Sequence, residues 1–185
     1  MRKNVFNRRV AVYPGSFDPI TNGHIDILRR MAPSFDRVIM LISSNRSKNA
    51  LFSPEERVVL AERALKGVPG VEVDLHAGLT VEYLRHKGAG VILRGLRAVT
   101  DFEYELVMAN MNKKLAPEVE TMIVFASPEF YYVSSNTVKE VATLGGNVRD
   151  LVPPNVLRAL RERVRSGVIS SKTKRGKSSG VKKPK

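Results

Sequence analysis

Five short apolar segments, each followed by a segment with helical spacing or a helix-start signal, constrain this chain more than any other feature. These segments are rich in Val, Ile and Leu, and turn or polar residues bound them, as is typical of strands. Strands that are apolar on both faces and alternate with helices favour a parallel sheet covered on both sides. The pattern predicts a Rossmann-like α/β fold, a doubly wound sheet of five parallel strands. The predicted strands are Val10–Val12, Arg37–Ser43, Val71–Leu75, Gly90–Gly95 and Thr121–Ala126.

Helix-start signals follow each of these strands. Ser53, with Pro54 and Glu56 after it, forms a capping box, in which the serine and glutamate each bond the other's main-chain N–H. The other helices are predicted to begin at His24, at Thr80 and Thr100 as N-caps, at Ser134 or Ser135, and near Asn155. The last of them is a C-terminal helix that ends at Gly167.

Length and composition predict one domain. With 185 residues, 43% of them hydrophobic, the chain can bury a sizeable core. The absence of cysteine excludes disulfides, zinc-thiolate sites and thiol nucleophiles. No run approaches the roughly 18 apolar residues of a membrane span, and the N-terminus lacks a secretory apolar region. We expect a cytoplasmic protein without a membrane partner, with one domain over residues 1–169 and a disordered lysine-rich tail over residues 170–185.

The net charge of +13 is concentrated at the two ends. Eleven of the 31 Lys and Arg residues lie in the first nine and last sixteen positions, which contain no Asp or Glu. The remaining 20 basic and 18 acidic residues leave a charge of only +2 on the rest of the chain. A nucleic-acid-binding protein that acts through its basic ends stays an alternative. The near-neutral body disfavours it, and no specific nucleic acid is expected.

The stretch from Val10 to Arg30 combines a strand, a glycine-containing loop and a helix start. Unpaired main-chain N–H groups and the helix dipole make such a loop a generic anion site. His24 lies at the start of the helix, which is an unusual place for a lone histidine. A lone histidine is more often solvated or structural, and His76 and His86 are interpreted that way.

Polar side chains follow the carboxyl ends of several predicted strands. Parallel sheets bind ligands at this edge, so these side chains should converge on one cleft. The cleft would be cationic, with Glu105 as almost its only carboxylate and no evident covalent nucleophile. Such a site favours phosphoryl or nucleotidyl transfer, which depends on positioning and charge stabilisation. The converging residues are Ser16, His24, Lys48, Arg94, Arg97 and Ser134 to Asn136.

Several of these residues have equally plain structural interpretations. Lys48 lies in a polar loop, where a solvated lysine is common, and Arg94 and Arg97 could form surface ion pairs. Tyr131 and Tyr132 fit either a core or a site. Three aromatic residues are predicted to belong to the core, namely Tyr83, Phe102 and Tyr104.

Two motifs resemble those of the nucleotidyltransferase superfamily with an [HT]xGH motif and a later ISSxxxR/K motif. They are TNGH at Thr21–His24 and SSNTVK at Ser134–Lys139. The longer strings YPGSFDPITNGHIDI and RGLRAVTDFEYE are similar to bacterial phosphopantetheine adenylyltransferases. The resemblance extends from about Val10 to Val164 and leaves out both basic ends.

The resemblance implies a function in coenzyme A biosynthesis. The adenylyl group of ATP would move to the 4′-phosphate of phosphopantetheine by direct in-line attack, giving dephospho-coenzyme A and pyrophosphate. Mg²⁺ would be the cofactor, held through the ATP phosphates and not by protein ligands, and the protein would be a homohexamer. The alternative within the superfamily is an enzyme for another acceptor, such as nicotinate mononucleotide, glycerol phosphate or choline phosphate.

The resemblance also implies roles for individual residues. His24 would stabilise the transition state, with Lys48 and Arg94 as the other catalytic residues. The phosphopantetheine site would consist of Ser16, Lys48, Thr80 and Arg94. The ATP site would consist of Ser16, Phe17, His24, Gly95, Leu96, Arg97, Glu105, Phe130, Tyr131, Tyr132, Val133, Ser134, Ser135 and Asn136. Asn136 stands where many relatives have serine, and its amide can still donate to a phosphate.

Overall fold

The computed structural model describes residues 6–44 and 50–166. The predictions for Lys48 and for the tail after residue 169 lie outside these described residues. Within them, no helix is both long enough and apolar enough to cross a bilayer.

Five parallel strands form one sheet in the order β3-β2-β1-β4-β5. The chain builds β1, β2 and β3 outward to one edge, then returns so that β4 lies against the other side of β1. The strand order therefore reverses between β1 and β4, where sheets of this type bind ligands. The strands are β1 (Asn7–Gly15), β2 (Arg37–Ser43), β3 (Val71–His76), β4 (Ala89–Leu96) and β5 (Glu120–Phe125).

In the part of the chain that the structure describes, six α-helices cover both faces of the sheet, which confirms the predicted doubly wound fold. Buried residues of α1, α2, α5 and α6 pack on the side of Ala11 and Tyr13. Residues of α3, with Ala116 and Val119, pack on the opposite side. The helices are α1 (Asn22–Met31), α2 (Pro54–Leu65), α3 (Thr80–Lys87), α4 (Val99–Leu115), α5 (Ser135–Thr143) and α6 (Pro154–Arg165).

The first strand and first helix are both longer than predicted. β1 continues through Pro14 and Gly15, which pair with Leu41 and Ile42 of β2, so this dipeptide does not break the strand. Helix α1 begins at Asn22 and not at His24. β1 is longer because the neighbouring strand β2 pairs with these added residues, and α1 begins earlier because the side chain of Thr21 caps it.

Two predicted caps are wrong, and two are confirmed. Helix α3 begins at Thr80 itself, with Leu79 as its N-cap. Helix α4 begins at Val99, with Ala98 as its N-cap. Both N-cap residues have extended backbone and form no side-chain capping bond. The capping box at Ser53 is present. Ser134, of the two candidates, is the N-cap of α5, where its hydroxyl accepts the N–H of Thr137 at 2.9 Å.

Candidate active site

A cleft of about 350 Å³ lies at the carboxyl ends of β1 and β4. Its walls come from the loop after β1, the start of α1, the end of β4, the start of α4 and the start of α5. Twelve residues predicted for the site line it, namely Ser16, Phe17, His24, Arg94, Gly95, Arg97, Glu105, Phe130, Val133, Ser134, Ser135 and Asn136. Leu96 is buried beneath it, and Tyr131 and Tyr132 are exposed outside it.

A second cavity of about 290 Å³ adjoins the first. The two share six lining residues, among them Ser16, Arg94 and Glu105, and the second extends to Thr80 and Asn112. Thr80, which the resemblance assigns to the acceptor, is thus separated from His24 by the shared residues. The geometry offers two neighbouring compartments that meet at Ser16 and Arg94.

The orientation of the His24 ring is fixed by the residue that caps α1. The main-chain N–H of Thr21 donates to His24 Nδ1 at 3.0 Å, and the Thr21 hydroxyl lies 3.0 Å from the same nitrogen. In return, the His24 main-chain N–H donates to the Thr21 hydroxyl at 3.4 Å. A main-chain N–H can only donate, so Nδ1 is the acceptor and the proton of the neutral ring is on Nε2.

His24 is held in its neutral form. Burial disfavours the imidazolium, and the positive charges of Arg97 and Arg94 add to this, lowering the pKa of His24 to about 3. The ring packs edge-to-face against Phe17, with the ring centres 5.0 Å apart. At neutral pH His24 therefore presents an N–H donor and no free nitrogen lone pair to the cleft.

The two cleft arginines are each paired with a carboxylate. Arg94 donates to both carboxylate oxygens of the buried Glu105, at 2.7 and 2.6 Å, and Arg97 lies 3.1 Å from Asp101. In the described part of the chain, the four charged side chains that line the cleft therefore cancel. The prediction of a cationic cleft is wrong for these residues, because it did not include Asp101. The spacing of Arg97 and Asp101, i to i+4 at a helix start, was the available signal.

The cleft also presents main-chain N–H groups at the starts of two helices. The first turns of α1 and α5 both border the cleft, through Gly23, Ser135 and Asn136. The helix dipoles at these two starts favour phosphate oxygens. The Ser135 hydroxyl donates to the Pro19 carbonyl at 2.7 Å and so ties the start of α5 to the loop after β1.

Gly95 keeps the end of β4 close to α1. A Cβ atom at this position would lie 2.5 Å from Ile27 Cδ1 and 3.2 Å from the Tyr13 hydroxyl. A side chain here would displace α1 or fill the cleft. Gly95, which is predicted to contact ATP, therefore contributes only its main chain to the cleft wall.

The prediction for three aromatic residues is right for one and wrong for two. Tyr83 is buried, as predicted. Phe102 and Tyr104 are 44% and 61% exposed, and Tyr104 borders both cavities. The two rings are two positions apart on α4, about 200° around the helix, so they lie on different sides of it, and both are accessible in the single chain.

Comparisons with known proteins agree with this geometry. The cytidylyltransferase-like family model matches residues 12–141. The phosphopantetheine adenylyltransferase of Bdellovibrio bacteriovorus is 57% identical over 157 residues, which is 85% of this chain and 98% of that protein. The enzyme of the same name from Thermotoga neapolitana is 56% identical over 158 residues, with the same two coverages.

A solved structure supports the fold alone. The crystal structure of a candidate nicotinate-nucleotide adenylyltransferase from Vibrio parahaemolyticus superposes with a TM-score of 0.64 at 16% identity. It covers 88% of this chain and 95% of the other. From the motifs, the matched length and the identity to its curated relatives, this chain belongs to the phosphopantetheine adenylyltransferase family of cytidylyltransferase-like nucleotidyltransferases.

Proposed function

We propose that this protein transfers the adenylyl group of ATP to the 4′-phosphate of phosphopantetheine, which yields dephospho-coenzyme A and pyrophosphate. The observation that carries the proposal is the pair of cavities that meet at Ser16 and Arg94. One compartment contains His24 and the start of α5, which suit a triphosphate. The other contains Thr80 and suits an elongated acceptor whose phosphate faces the first compartment.

In this mechanism an oxygen of the acceptor phosphate attacks the α-phosphorus of ATP. A new phosphorus–oxygen bond forms as the bond between the α-phosphorus and the bridging oxygen breaks, and pyrophosphate leaves. His24 Nε2–H donates to an α-phosphate oxygen, and this bond strengthens as charge grows on that oxygen in the transition state. Because the Nε2 lone pair is occupied by a proton, His24 is a donor and not a nucleophile.

The acceptor phosphate is assigned to Ser16, Arg94 and, by family resemblance, Lys48. Arg94 is held by Glu105 and by the Pro14 carbonyl, so its guanidinium has a fixed position beside Ser16. The assignment of Leu96, Tyr131 and Tyr132 to ATP stays a prediction. Leu96 could contribute only its main chain, while the two exposed tyrosine rings could contact an adenine at the cleft edge.

Mg²⁺ is proposed as the cofactor, held by the ATP phosphates. The cleft carboxylates Asp101 and Glu105 both bind arginines, and no cluster of three His, Asp or Glu residues suited to a metal occurs within residues 6–44 and 50–166. The donor set therefore fits a metal that arrives with the nucleotide. Bound there, Mg²⁺ would neutralise part of the phosphate charge.

Pyrophosphate release measured with separate acceptors tests the proposed substrate. With ATP and Mg²⁺, phosphopantetheine should support turnover at least about a hundredfold faster than nicotinate mononucleotide, glycerol phosphate or choline phosphate, because a dedicated pocket must bind the acceptor arm. Omitting the acceptor gives the background rate. Turnover with one of the other acceptors and none with phosphopantetheine would contradict the proposal.

Replacing the catalytic histidine tests the mechanism. We expect His24→Ala to lower kcat by about two to three orders of magnitude, with little change in the KM for ATP, because the lost bond acts mainly in the transition state. His86→Ala is the matched control, since His86 is exposed on α3 and lies outside both cavities. A variant that changed only the KM for ATP would show that His24 binds the ground state alone.

A homohexamer is also proposed, and a cytoplasmic location, where ATP is available. The exposed apolar side chains of α4 support assembly, because clustered exposed apolar side chains are typical of protein interfaces. Tyr104, Val107, Met111 and Leu115 recur at helical spacing and are 42–63% exposed, and Phe125 of the edge strand β5 is 67% exposed.

A charge placed on this patch tests the assembly. Val107→Glu should reduce the molar mass measured by light scattering from about six chains to a smaller species, because burying an unpaired carboxylate at an interface is costly. Val59→Glu is the matched control, since Val59 is 43% exposed on α2, away from α4. A wild-type protein with the mass of one chain would contradict the hexamer itself.

A further inference from the structure

Lys139 belongs to the SSNTVK motif but does not line the cleft that the motif borders. Its ammonium group lies 2.9 Å from a carboxylate oxygen of Asp18, in the loop after β1. The lysine side chain is 22% exposed and the aspartate side chain 6%. A lysine in a phosphate-binding motif would ordinarily be interpreted as a phosphate ligand. Lys139 instead forms an ion pair with the buried Asp18.

Asp18 is the centre of a small network of buried bonds. Besides Lys139, its two carboxylate oxygens accept the main-chain N–H groups of Leu51 and Phe52, each at 2.9 Å. A buried carboxylate needs such donors and an opposite charge to offset the loss of water. The bonds join three segments, which are the loop after β1, the segment before α2, and α5.

The residue before Asp18 has a strained backbone and contacts His24. Phe17 has a φ of +44°, the only positive φ at a non-glycine position in the described residues. Its buried ring packs edge-to-face on His24 at 5.0 Å and on Tyr13 at 5.4 Å. A bulky residue adopts this conformation only where neighbouring contacts enforce it.

Contacts on both sides of Phe17 supply that enforcement. The Ser16 carbonyl accepts from Arg57 at 2.9 Å, and the Pro19 carbonyl accepts from Ser135 at 2.7 Å. The Asp18–Lys139 contact lies between these two anchors and is the ion pair of the set, since the charged Arg57 binds a neutral carbonyl. Losing the ion pair would leave the loop attached by hydrogen bonds alone and would leave Asp18 without its opposite charge.

We propose that Lys139 is a positioning residue, which holds Phe17 against His24 by way of Asp18, and that it is not a ligand of the ATP phosphates. The ion pair thereby couples the second sequence motif to the histidine of the first. The catalytic consequence rests on the proposed function of His24. The contact between Phe17 and His24 can be measured without catalysis.

Four proteins test the proposal by a double-mutant cycle: the wild type, Lys139→Met, Asp18→Asn and the double variant. Lys139→Met should lower kcat by about ten- to a hundredfold, as expected for a displaced catalytic group, and leave the Kd for a non-hydrolysable ATP analogue within about twofold. Asp18→Asn should have a similar effect, and the double variant should be no worse than the poorer single variant. Glu140→Gln, an exposed neighbour on α5, is the control and should match the wild type.

Two results would overturn the proposal. One is a loss of about tenfold or more in affinity for the ATP analogue in Lys139→Met, and the other is a full multiplication of the two single effects in the double variant. The first result would show that Lys139 binds the nucleotide, and the second would show that Lys139 acts independently of Asp18.

A measurement without turnover separates this proposal from the proposed function. The ring-proton NMR resonances of His24 should shift in Lys139→Met, because the Phe17 ring beside them moves, and should stay unchanged in Glu140→Gln. Unchanged His24 resonances in Lys139→Met would overturn the positioning role even if Asp18→Asn failed to fold. A wild type that does not adenylylate phosphopantetheine would instead contradict the proposed function, with the NMR result still deciding the role of Lys139.

Discussion

The hydrogen bond from the Thr21 main-chain N–H to His24 Nδ1 is the interaction on which the chemistry of this site depends. It fixes the ring of His24, the third residue of α1, so that the ring completes the capping box and borders the cleft. It also assigns the ring proton to Nε2, and the depressed pKa keeps the ring neutral. His24 is therefore a fixed donor that can stabilise a phosphate oxygen and cannot attack phosphorus.

The pairing of charges in the cleft has a related consequence. Arg94 and Arg97 are bound by Glu105 and Asp101, so the guanidinium groups are held in place before any ligand arrives. This pairing lowers the net positive charge that would attract anions to the cleft, and it fixes the positions of the two guanidinium groups. Substrate phosphates would meet oriented donors from two arginines, two helix starts and His24, an arrangement suited to a reaction that depends on alignment.

The sequence was sufficient for features that depend on local pattern, and insufficient for those that depend on contacts between distant residues. Apolar strands alternating with helices predicted the parallel sheet, and the strand ends predicted most of the cleft. Tyr104 was placed in the core because an aromatic residue on an apolar helix has no local sign of exposure. The contact between Asp18 and Lys139 joins residues 121 positions apart, which no local pattern indicates. Thr80 and Thr100 were predicted as caps from residue type, although the preceding backbone decides where each helix begins.

The stereochemical course at the α-phosphorus tests most directly whether both substrates react in one cleft without a covalent intermediate. ATP made chiral at the α-phosphorus with sulfur is used as the adenylyl donor, and the configuration of the dephospho-coenzyme A product is determined by phosphorus NMR. A single in-line displacement predicts inversion of configuration. Retention would mean two displacements by way of an adenylylated residue, and would contradict direct transfer of the adenylyl group from ATP to the acceptor phosphate.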